Sequence, residues 1–176
     1  MNFMSKTFDY SPTIISFYCD VDGSAFYSNC AKWLSAVCDQ LETPYYIVKR
    51  CYGSSWIDNV RAKPEFILET LDRLVGDCIW LDVDSLLLQR PNFKLDKWAV
   101  MLRKDTSPHD FVHYIPNNNA SRLFLRKWID EIKRAKRGSH TAFISIAKDY
   151  QILPDDYFQI GLAESNSKTA YLTLYS

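Results

Sequence analysis

Strand-like and helix-like patterns alternate along the first half of the chain. Residues 13–19 (TIISFYC) and 45–51 are rich in β-branched and aromatic side chains and predict two strands, and residues 78–81 (CIWL) predict a third. Apolar side chains at helical spacing predict helices over residues 24–41 and 64–76, which separate these strands. Because strands alternate with helices, we expect right-handed crossovers and a parallel sheet.

The second half of the chain adds two further strands and two further helices. Strands are predicted over residues 98–102 and 111–115, an amphipathic helix over residues 120–136, and a shorter helix over residues 141–150. Residues 78–81 are apolar throughout, which is typical of a strand covered on both faces. The sequence therefore predicts an α/β fold with a mostly parallel central sheet flanked by helices.

Length and charge limit the possible classes of protein. A chain of 176 residues is expected to form a single compact domain over residues 1–176. We expect a flexible N-terminus over residues 1–12 and a C-terminal tail or edge strand over residues 159–176, with residues 171–174 as the candidate for the strand. The 21 Lys and Arg balance the 21 Asp and Glu, so nucleic acid is not expected as the main partner, because binding it requires a basic surplus.

The cysteines give no sign of a metal or redox motif. Their number is odd, and no two of them are separated by only two residues. They are Cys19, Cys30, Cys38, Cys51 and Cys78. We expect five reduced, mostly buried thiols in a cytoplasmic protein, and we expect no signal peptide and no transmembrane segment.

Two acidic pairs follow predicted strands, at the end of a parallel sheet where ligands usually bind. Asp20 and Asp22 follow the first strand, and Asp82 and Asp84 follow the third. Converging carboxylates suit a hard cation such as Mg²⁺ or Mn²⁺, which leaves positions open for phosphate oxygens. The pair at Asp82 and Asp84 is the stronger candidate, because charged groups in so apolar a segment need a partner. With only five glycines in the chain, no glycine-rich phosphate loop is present.

An ordered set of motifs resembles one enzyme family. The segment IWLDVDSL at residues 79–86, followed by Pro91, resembles the Asp-x-Asp segment of nucleotide-diphospho-sugar glycosyltransferases of the GT-A fold, in a compact bacterial or phage-like form. The helix start KPEFI at residues 63–67, the segment NNNASRLFLRKW at residues 117–128, and Leu153 with Pro154 are similar to other segments of that family, in the same order.

The resemblance implies an activity and a set of residue roles. It implies transfer of a sugar from a nucleoside-diphosphate donor, with a UDP-sugar expected, to a glycan, lipid-linked or other acceptor, with Mn²⁺ or Mg²⁺ as cofactor. Asp84 would bind the metal, and Asp82 would contact the ribose or the metal; both are the expected catalytic residues. Tyr18 would stack on the nucleobase, Lys63 would reach the phosphates or the carboxylates, and Asn118 would bind the sugar.

One position departs from the family pattern. Members often carry an acidic residue near the start of the late short helix, where this chain has no carboxylate within residues 138–143. His140 is the residue available there to replace it, either as a metal ligand or as a contact to sugar or acceptor.

The sequence is compatible with two other functional classes. The segment from Asp20 to Ser24 also resembles the first motif of haloacid-dehalogenase-type phosphohydrolases, with Asp20 as nucleophile and Asp22 as general acid and base. Asp155 and Asp156 would then imitate the late acidic pair of that family. The third class is a catalytically inactive binding module of the first fold, which would dock an anionic partner on the basic helix over residues 120–136.

Overall fold

The computed structural model describes residues 10–21, 23–102, 106–136 and 138–159. The strands are β1 (Thr13–Tyr18), β2 (Tyr45–Lys49), β3 (Cys78–Leu81), β4 (Leu86–Leu87), β5 (Ala99–Leu102), β6 (Pro108–Ile115), β7 (Gln151–Ile152) and β8 (Phe158–Gln159). The helices are α1 (Phe26–Gln40), α2 (Trp56–Arg61), α3 (Lys63–Leu71), α4 (Asn119–Ala135) and α5 (Ser139–Ile146), with a 3-10 turn at Asp155–Tyr157.

The central sheet has six strands in the order β2-β1-β3-β6-β5-β7. β1 pairs in parallel with both β2 and β3, as the alternating pattern predicted. β6 runs antiparallel to both β3 and β5, while β5 and β7 pair in parallel. The short connection between β5 and β6 favours this hairpin, because a parallel pair needs a long crossover. The predicted α/β class, with a central sheet flanked by helices, is confirmed.

Strand β3 lies at the centre of the core because both of its faces are covered. Ile79 and Leu81 face one apolar cluster, which includes the buried side of α1, while Cys78 and Trp80 face a second cluster formed with α3, α4 and α5. The alternation follows from the two-residue period of a strand. Each large side chain buried in this way contributes roughly 1.5–3 kcal/mol.

Several helix boundaries differ from the predicted ones. Helix α1 begins at Phe26, and Ser24 accepts only a long 3.4 Å bond from the Phe26 amide. Helix α3 ends at Leu71, well before Gly76. Helix α2 was not predicted, although Ser55 caps it by accepting a 3.2 Å bond from the Asp58 amide. Its six residues are too few to show a clear apolar period.

The chain termini are described only in part. Residues 1–9 and 160–176 lie outside the described residues, and so does the edge strand predicted at residues 171–174. The Tyr10 hydroxyl bonds to the Asp77 carboxylate and lies 3.0 Å from the Tyr114 hydroxyl. No helix among the described residues combines the length and the apolar character that a membrane crossing requires.

The expectation of five reduced thiols is wrong for two of the cysteines. Cys19 and Cys51 form a disulfide with a Cα–Cα distance of 5.2 Å. Each follows the end of a strand, and the register that pairs Tyr18 with Lys49 brings the two cysteines together. Sequence spacing gave no hint of this, because the pairing depends on which strands are neighbours. The free cysteines, all buried, are Cys30, Cys38 and Cys78.

Candidate functional site

A cavity of about 280 Å³ opens where β1 and β3 end. The two strands are parallel neighbours, so the residues that follow them meet at one edge of the sheet, which we call the carboxyl edge. One part of the cavity wall is aromatic and is formed by Phe17, Tyr18, Tyr27, Trp56, Trp80 and Phe111. The polar part is formed by Asn59, Lys63, Asp82 and Asp84.

The Asp-x-Asp segment is held in place by a turn anchored in the core. The Asp82 amide donates a 2.9 Å bond to the Phe111 carbonyl, and the Ser85 amide donates a 2.9 Å bond to the Asp82 carbonyl. Val83 between the two carboxylates belongs to the apolar core cluster. The segment is therefore a turn, and both carboxylates line the same cavity.

Lys63 is a buried cation at the centre of this site. Its side chain is only 4% exposed, and Nζ lies 2.9 Å from Asp82 Oδ1 and 3.5 Å from Asp110 Oδ2. Nζ also donates a 2.6 Å bond to the Asp110 carbonyl. Burial alone would lower the pKa of Lys63, but the Asp110 and Asp82 carboxylates outweigh it and raise the pKa. Lys63 is therefore charged, although its place in the first turn of α3 opposes the helix dipole.

Two neighbouring side chains contact the same carboxylate oxygen of Asp82. Trp80 Nε1 donates a 2.7 Å bond to Oδ1, the same atom that Lys63 approaches. Burial raises the pKa of Asp82 to about 7 against the lowering effect of Lys63, and the nearby Asp110 and Asp84 add to the rise. A carboxylate in this position gains from an added cation, since a positive charge favours its ionised form.

Asp110 belongs to the site although the sequence did not point to it. It lies near the start of β6, is 1% exposed, and its Oδ1 is 3.0 Å from His140 Nδ1. Burial would raise the pKa of Asp110, but Lys63 and His140 outweigh it and lower the pKa. We call the four side chains of Lys63, Asp82, Asp110 and His140 the Lys63 cluster. The predicted strand began at residue 111, which placed Asp110 in a loop and hid its burial.

The aromatic wall includes predicted and unpredicted residues. Tyr18, the expected stacking residue, lies at the end of β1 and lines the cavity. Trp56 is 57% exposed and lines the same cavity from the unpredicted helix α2. Asn59 shapes the loop before this helix, since its side chain accepts from the Tyr52 amide at 2.7 Å and donates to the Ser55 carbonyl at 2.8 Å.

The structure does not bring Asn118 to this site. Asn118 caps α4, its side chain accepting a 2.9 Å bond from the Ser121 amide. β6 is antiparallel to β3, with Ile115 opposite Cys78, so the residues that follow β6 lie at the other edge of the sheet from Asp82. Asn118 lines a separate shallow hollow there, beside Asp77.

The first acidic pair has a structural contact. Asp20 Oδ1 accepts a 3.1 Å bond from the Ser28 amide in the first turn of α1, an arrangement that satisfies a helix N-terminus. Asp22 and the side chain of Asp155 lie outside the described residues. Within the described part of the chain, Asp20 is not among the residues that line the cavity at Asp82.

The basic helix α4 is partly neutralised by acidic neighbours. Arg122 Nε lies 3.0 Å from Asp72, Lys133 Nζ lies 3.2 Å from Glu65, and Arg134 Nη2 lies 2.7 Å from Glu131. Each partner removes one positive charge from the surface expected to dock an anionic partner. This reduces the support for a binding module based on that helix.

The side chains of this site supply some of the oxygen ligands that a hard cation requires. Asp82 and Asp84 offer carboxylate oxygens, and Mg²⁺ is usually bound by one or two carboxylates together with substrate phosphates. Among the described residues, no group of three or more His, Cys, Asp and Glu side chains is placed to hold a metal ion. The site therefore fits a cation that arrives with a diphosphate better than one bound by protein side chains alone.

The comparisons with known proteins bear on the fold. No protein-family model and no curated protein sequence matches the chain. Among solved structures, the chain is similar to a glycosyltransferase involved in the glycosylation of the major capsid of PBCV-1, with a TM-score of 0.62 and 12% sequence identity. The match covers 82% of this chain and 81% of that chain. The architecture described above is therefore one that a glycosyltransferase uses.

Proposed function

We propose that this protein transfers a glycosyl group from a nucleoside-diphosphate sugar, with a UDP-sugar as the first candidate, to an acceptor hydroxyl. The observation that supports this proposal is one cavity with an aromatic wall beside Tyr18 and an acidic wall at Asp82 and Asp84. An aromatic wall binds the flat face of a nucleobase, and the acidic wall suits the cation that accompanies a diphosphate. The fold shared with a known glycosyltransferase supports the same reaction class.

The charges around the cavity favour a divalent cation. In the group formed by Asp82, Asp84, Asp110 and Lys63, the carboxylates outnumber the ammonium by two. Asp82 and Asp84 are the residues that would hold Mn²⁺ or Mg²⁺. When bound, this ion supplies Lewis-acid stabilisation to the departing nucleoside diphosphate.

The side chains of this chain have separate tasks in the proposed reaction. Tyr18 binds and orients the base, and the apolar wall keeps water from the diphosphate. Lys63 holds the Asp82 carboxylate in one orientation through the 2.9 Å contact between Nζ and Oδ1. Asp82 and Asp84 then present their remaining oxygens to the cation and the donor. Such fixed positioning lowers the barrier because the groups need not reorganise during the reaction.

The acceptor is proposed to be a glycan, either free or linked to a lipid or a protein. The mouth of the cavity exposes Trp56, and exposed aromatic rings can pack on the apolar face of a sugar ring. The expected cytoplasmic location remains a prediction beside this proposal.

The test is nucleotide binding with and without metal. Purified protein is titrated with UDP, GDP, CDP and ADP in the presence and absence of Mn²⁺, by calorimetry and by thermal shift. We expect one nucleoside diphosphate to bind and to stabilise the fold only when Mn²⁺ is present. Absence of metal-dependent binding for all four nucleotides would contradict the proposal.

The matched variants are Asp84→Asn and Asp149→Asn. Asp84→Asn should weaken Mn²⁺-dependent nucleotide binding at least about 100-fold, because the carboxylate is proposed to be a direct ligand. Asp149 is an exposed carboxylate paired with Lys97 at 3.1 Å, so the same chemical change there should leave binding unaltered. Equal binding by wild type and Asp84→Asn would exclude Asp84 as a metal ligand.

A further inference from the structure

Asp110 is the most deeply buried carboxylate of the Lys63 cluster. A buried carboxylate is costly unless each oxygen has a partner. The two oxygens of Asp110 have different partners: Oδ2 lies 3.5 Å from Lys63 Nζ, and Oδ1 lies 3.0 Å from His140 Nδ1. This one side chain therefore links the start of α3 to the start of α5 across β6.

Asp110 also holds Lys63 through its backbone. The 2.6 Å bond from Lys63 Nζ to the Asp110 carbonyl leaves the ammonium between β6 and the Asp82 carboxylate. Lys63 further lies over the ring of Trp80, 5.4 Å from its centroid. A long, flexible Lys side chain is thus fixed in one position before any substrate arrives, which removes an entropic cost of binding.

The His140 ring lies against the same carboxylate. Its Nδ1 atom is fully buried and lies 3.0 Å from Asp110 Oδ1, close enough for an electrostatic contact although the two atoms are not aligned as a hydrogen bond, while 29% of the side chain is exposed. The preceding residue, Ser139, is buried, and its carbonyl accepts a 3.0 Å bond from Trp128 Nε1. A neutral imidazole with a carboxylate at Nδ1 carries its hydrogen there and keeps its lone pair on Nε2.

We propose that Asp110 is a positioning residue that holds Lys63 against Asp82 and fixes His140 as the Nδ1–H tautomer. The role of Lys63 in this proposal rests on the proposed function, since it concerns the site for the nucleotide donor. The effect on His140 rests on the contact with Asp110 alone. The two halves can therefore be tested separately.

The first test is the tautomer of His140, measured by long-range ¹H–¹⁵N NMR at alkaline pH on the protein without ligand. The chain has three histidines, and the His140 signal is identified by its loss in His140→Gln. In the wild type we expect the Nδ1–H form, and in Asp110→Asn a shift towards the Nε2–H form. An Nε2–H form in the wild type, or an unchanged tautomer in Asp110→Asn, would overturn the proposal for His140.

The second test is the affinity for UDP with Mn²⁺, or for whichever nucleoside diphosphate the wild type binds. Asp110→Asn should raise Kd at least about tenfold, because Lys63 loses one of its two carboxylates. Asp149→Asn is the matched control and should leave Kd unchanged. Wild-type affinity in Asp110→Asn would overturn the proposal for Lys63.

These outcomes separate a positioning role from a structural one. If Asp110 only stabilised the fold, Asp110→Asn would lower Tm and leave both the tautomer and Kd as they are in the wild type, which would overturn the proposal. If the wild type bound no nucleoside diphosphate with Mn²⁺, the proposed function would fail, and the role of Asp110 towards Lys63 would fail with it. The tautomer measurement would still decide the role of Asp110 towards His140, and it needs only the wild type should Asp110→Asn not fold.

Discussion

The two ends of strand β3 each carry an aspartate, and the two aspartates have opposite environments. Asp77 precedes the strand, and its carboxylate accepts bonds from the Tyr10 hydroxyl, from the Tyr114 hydroxyl at 2.6 Å and from the Asn117 amide at 2.8 Å. Burial would raise the pKa of Asp77, but these hydrogen bonds outweigh it and lower the pKa. We call these four residues the Asp77 cluster.

Asp82, at the other end of the strand, has a pKa that burial raises to about 7. Its neighbours include two more carboxylates, and Lys63 is shared with one of them. The Asp77 cluster is therefore satisfied within the protein, while the Lys63 cluster gains further stabilisation from an added cation. An acidic residue at a strand end is a sign of a binding site only when the protein does not itself satisfy its charge.

The covalent link at the carboxyl edge gives the largest expected effect on stability. The Cys19–Cys51 disulfide closes a loop of sequence separation 32, and Cys19 lines the cavity. Replacing both cysteines by serine should lower the free energy of unfolding by about 3–4 kcal/mol, measured by urea denaturation. The wild type should lose as much in a dithiol reductant, while the double variant should not respond to it. Equal stability of wild type and double variant would show that the disulfide does not constrain this edge.

A paired substitution tests the contrast between the two aspartates directly. Asp77→Asn should cost about 2 kcal/mol of stability, because charge-assisted bonds from two tyrosines are weakened, and should leave nucleotide binding unchanged. Asp82→Asn should leave stability unchanged or raised, because it removes a partly buried charge that the nearby Asp110 and Asp84 disfavour, and should strongly weaken Mn²⁺-dependent nucleotide binding. Urea denaturation measures the stability of both variants, and calorimetry measures their affinity for the nucleotide. Equal losses of stability in the two variants would remove the distinction between the clusters.

A pH-dependent effect is expected at His113, which lies in the middle of β6 between the two clusters. Burial, with a further contribution from Lys63, lowers the pKa of His113 to about 3, and its Nδ1 accepts a 3.1 Å bond from Trp98 Nε1. The folded state thus stays neutral at His113 while the unfolded state takes up a proton below pH ~6.5. Because of His113, the free energy of unfolding of the wild type falls by about 2 kcal/mol between pH 7 and pH 5.

The variant His113→Asn isolates this contribution. Asp82 acts in the opposite sense, because its raised pKa makes the folded state gain stability as the pH falls through about 7. That contribution is shared by both proteins and cancels in their difference. The stability of His113→Asn relative to wild type should therefore improve by about 2 kcal/mol between pH 7 and pH 5. A difference that does not change with pH would mean that His113 is protonated in the folded state.

The sequence predicted most of the fold, because periodicity records local geometry. β1, β2, β3 and α4 all lie within about two residues of their predicted positions. The elements that were missed are short: β4, β7, β8 and α2 have two to six residues. So short a segment does not span enough repeats to show a period. The boundary errors at α1 and α3 fall at helix ends: the predicted limits at residues 24 and 76 lie beyond the observed ends at Phe26 and Leu71.

The site was predicted less completely than the fold. Asp82, Asp84, Lys63 and Tyr18 were expected together, and the structure places all four on one cavity. Asn118 was expected with them and lies at the other edge of the sheet. Asp110 was overlooked because the predicted strand began one residue after it, and nothing in the local pattern showed that it would be buried.

The sequence by itself determined which segments form strands and helices, that β3 is covered on both faces, and that two carboxylates follow it. These properties depend on side chains close together in the chain. Only the tertiary structure decided the disulfide between Cys19 and Cys51, the separation of Asn118 from Asp82, and the contacts that join Lys63 to Asp110 and His140. Lys63 and Asp110 are 47 positions apart in sequence, and they meet because β6 runs antiparallel beside β3. Strand order and direction arise from the packing of the whole sheet, which no local pattern of residues records.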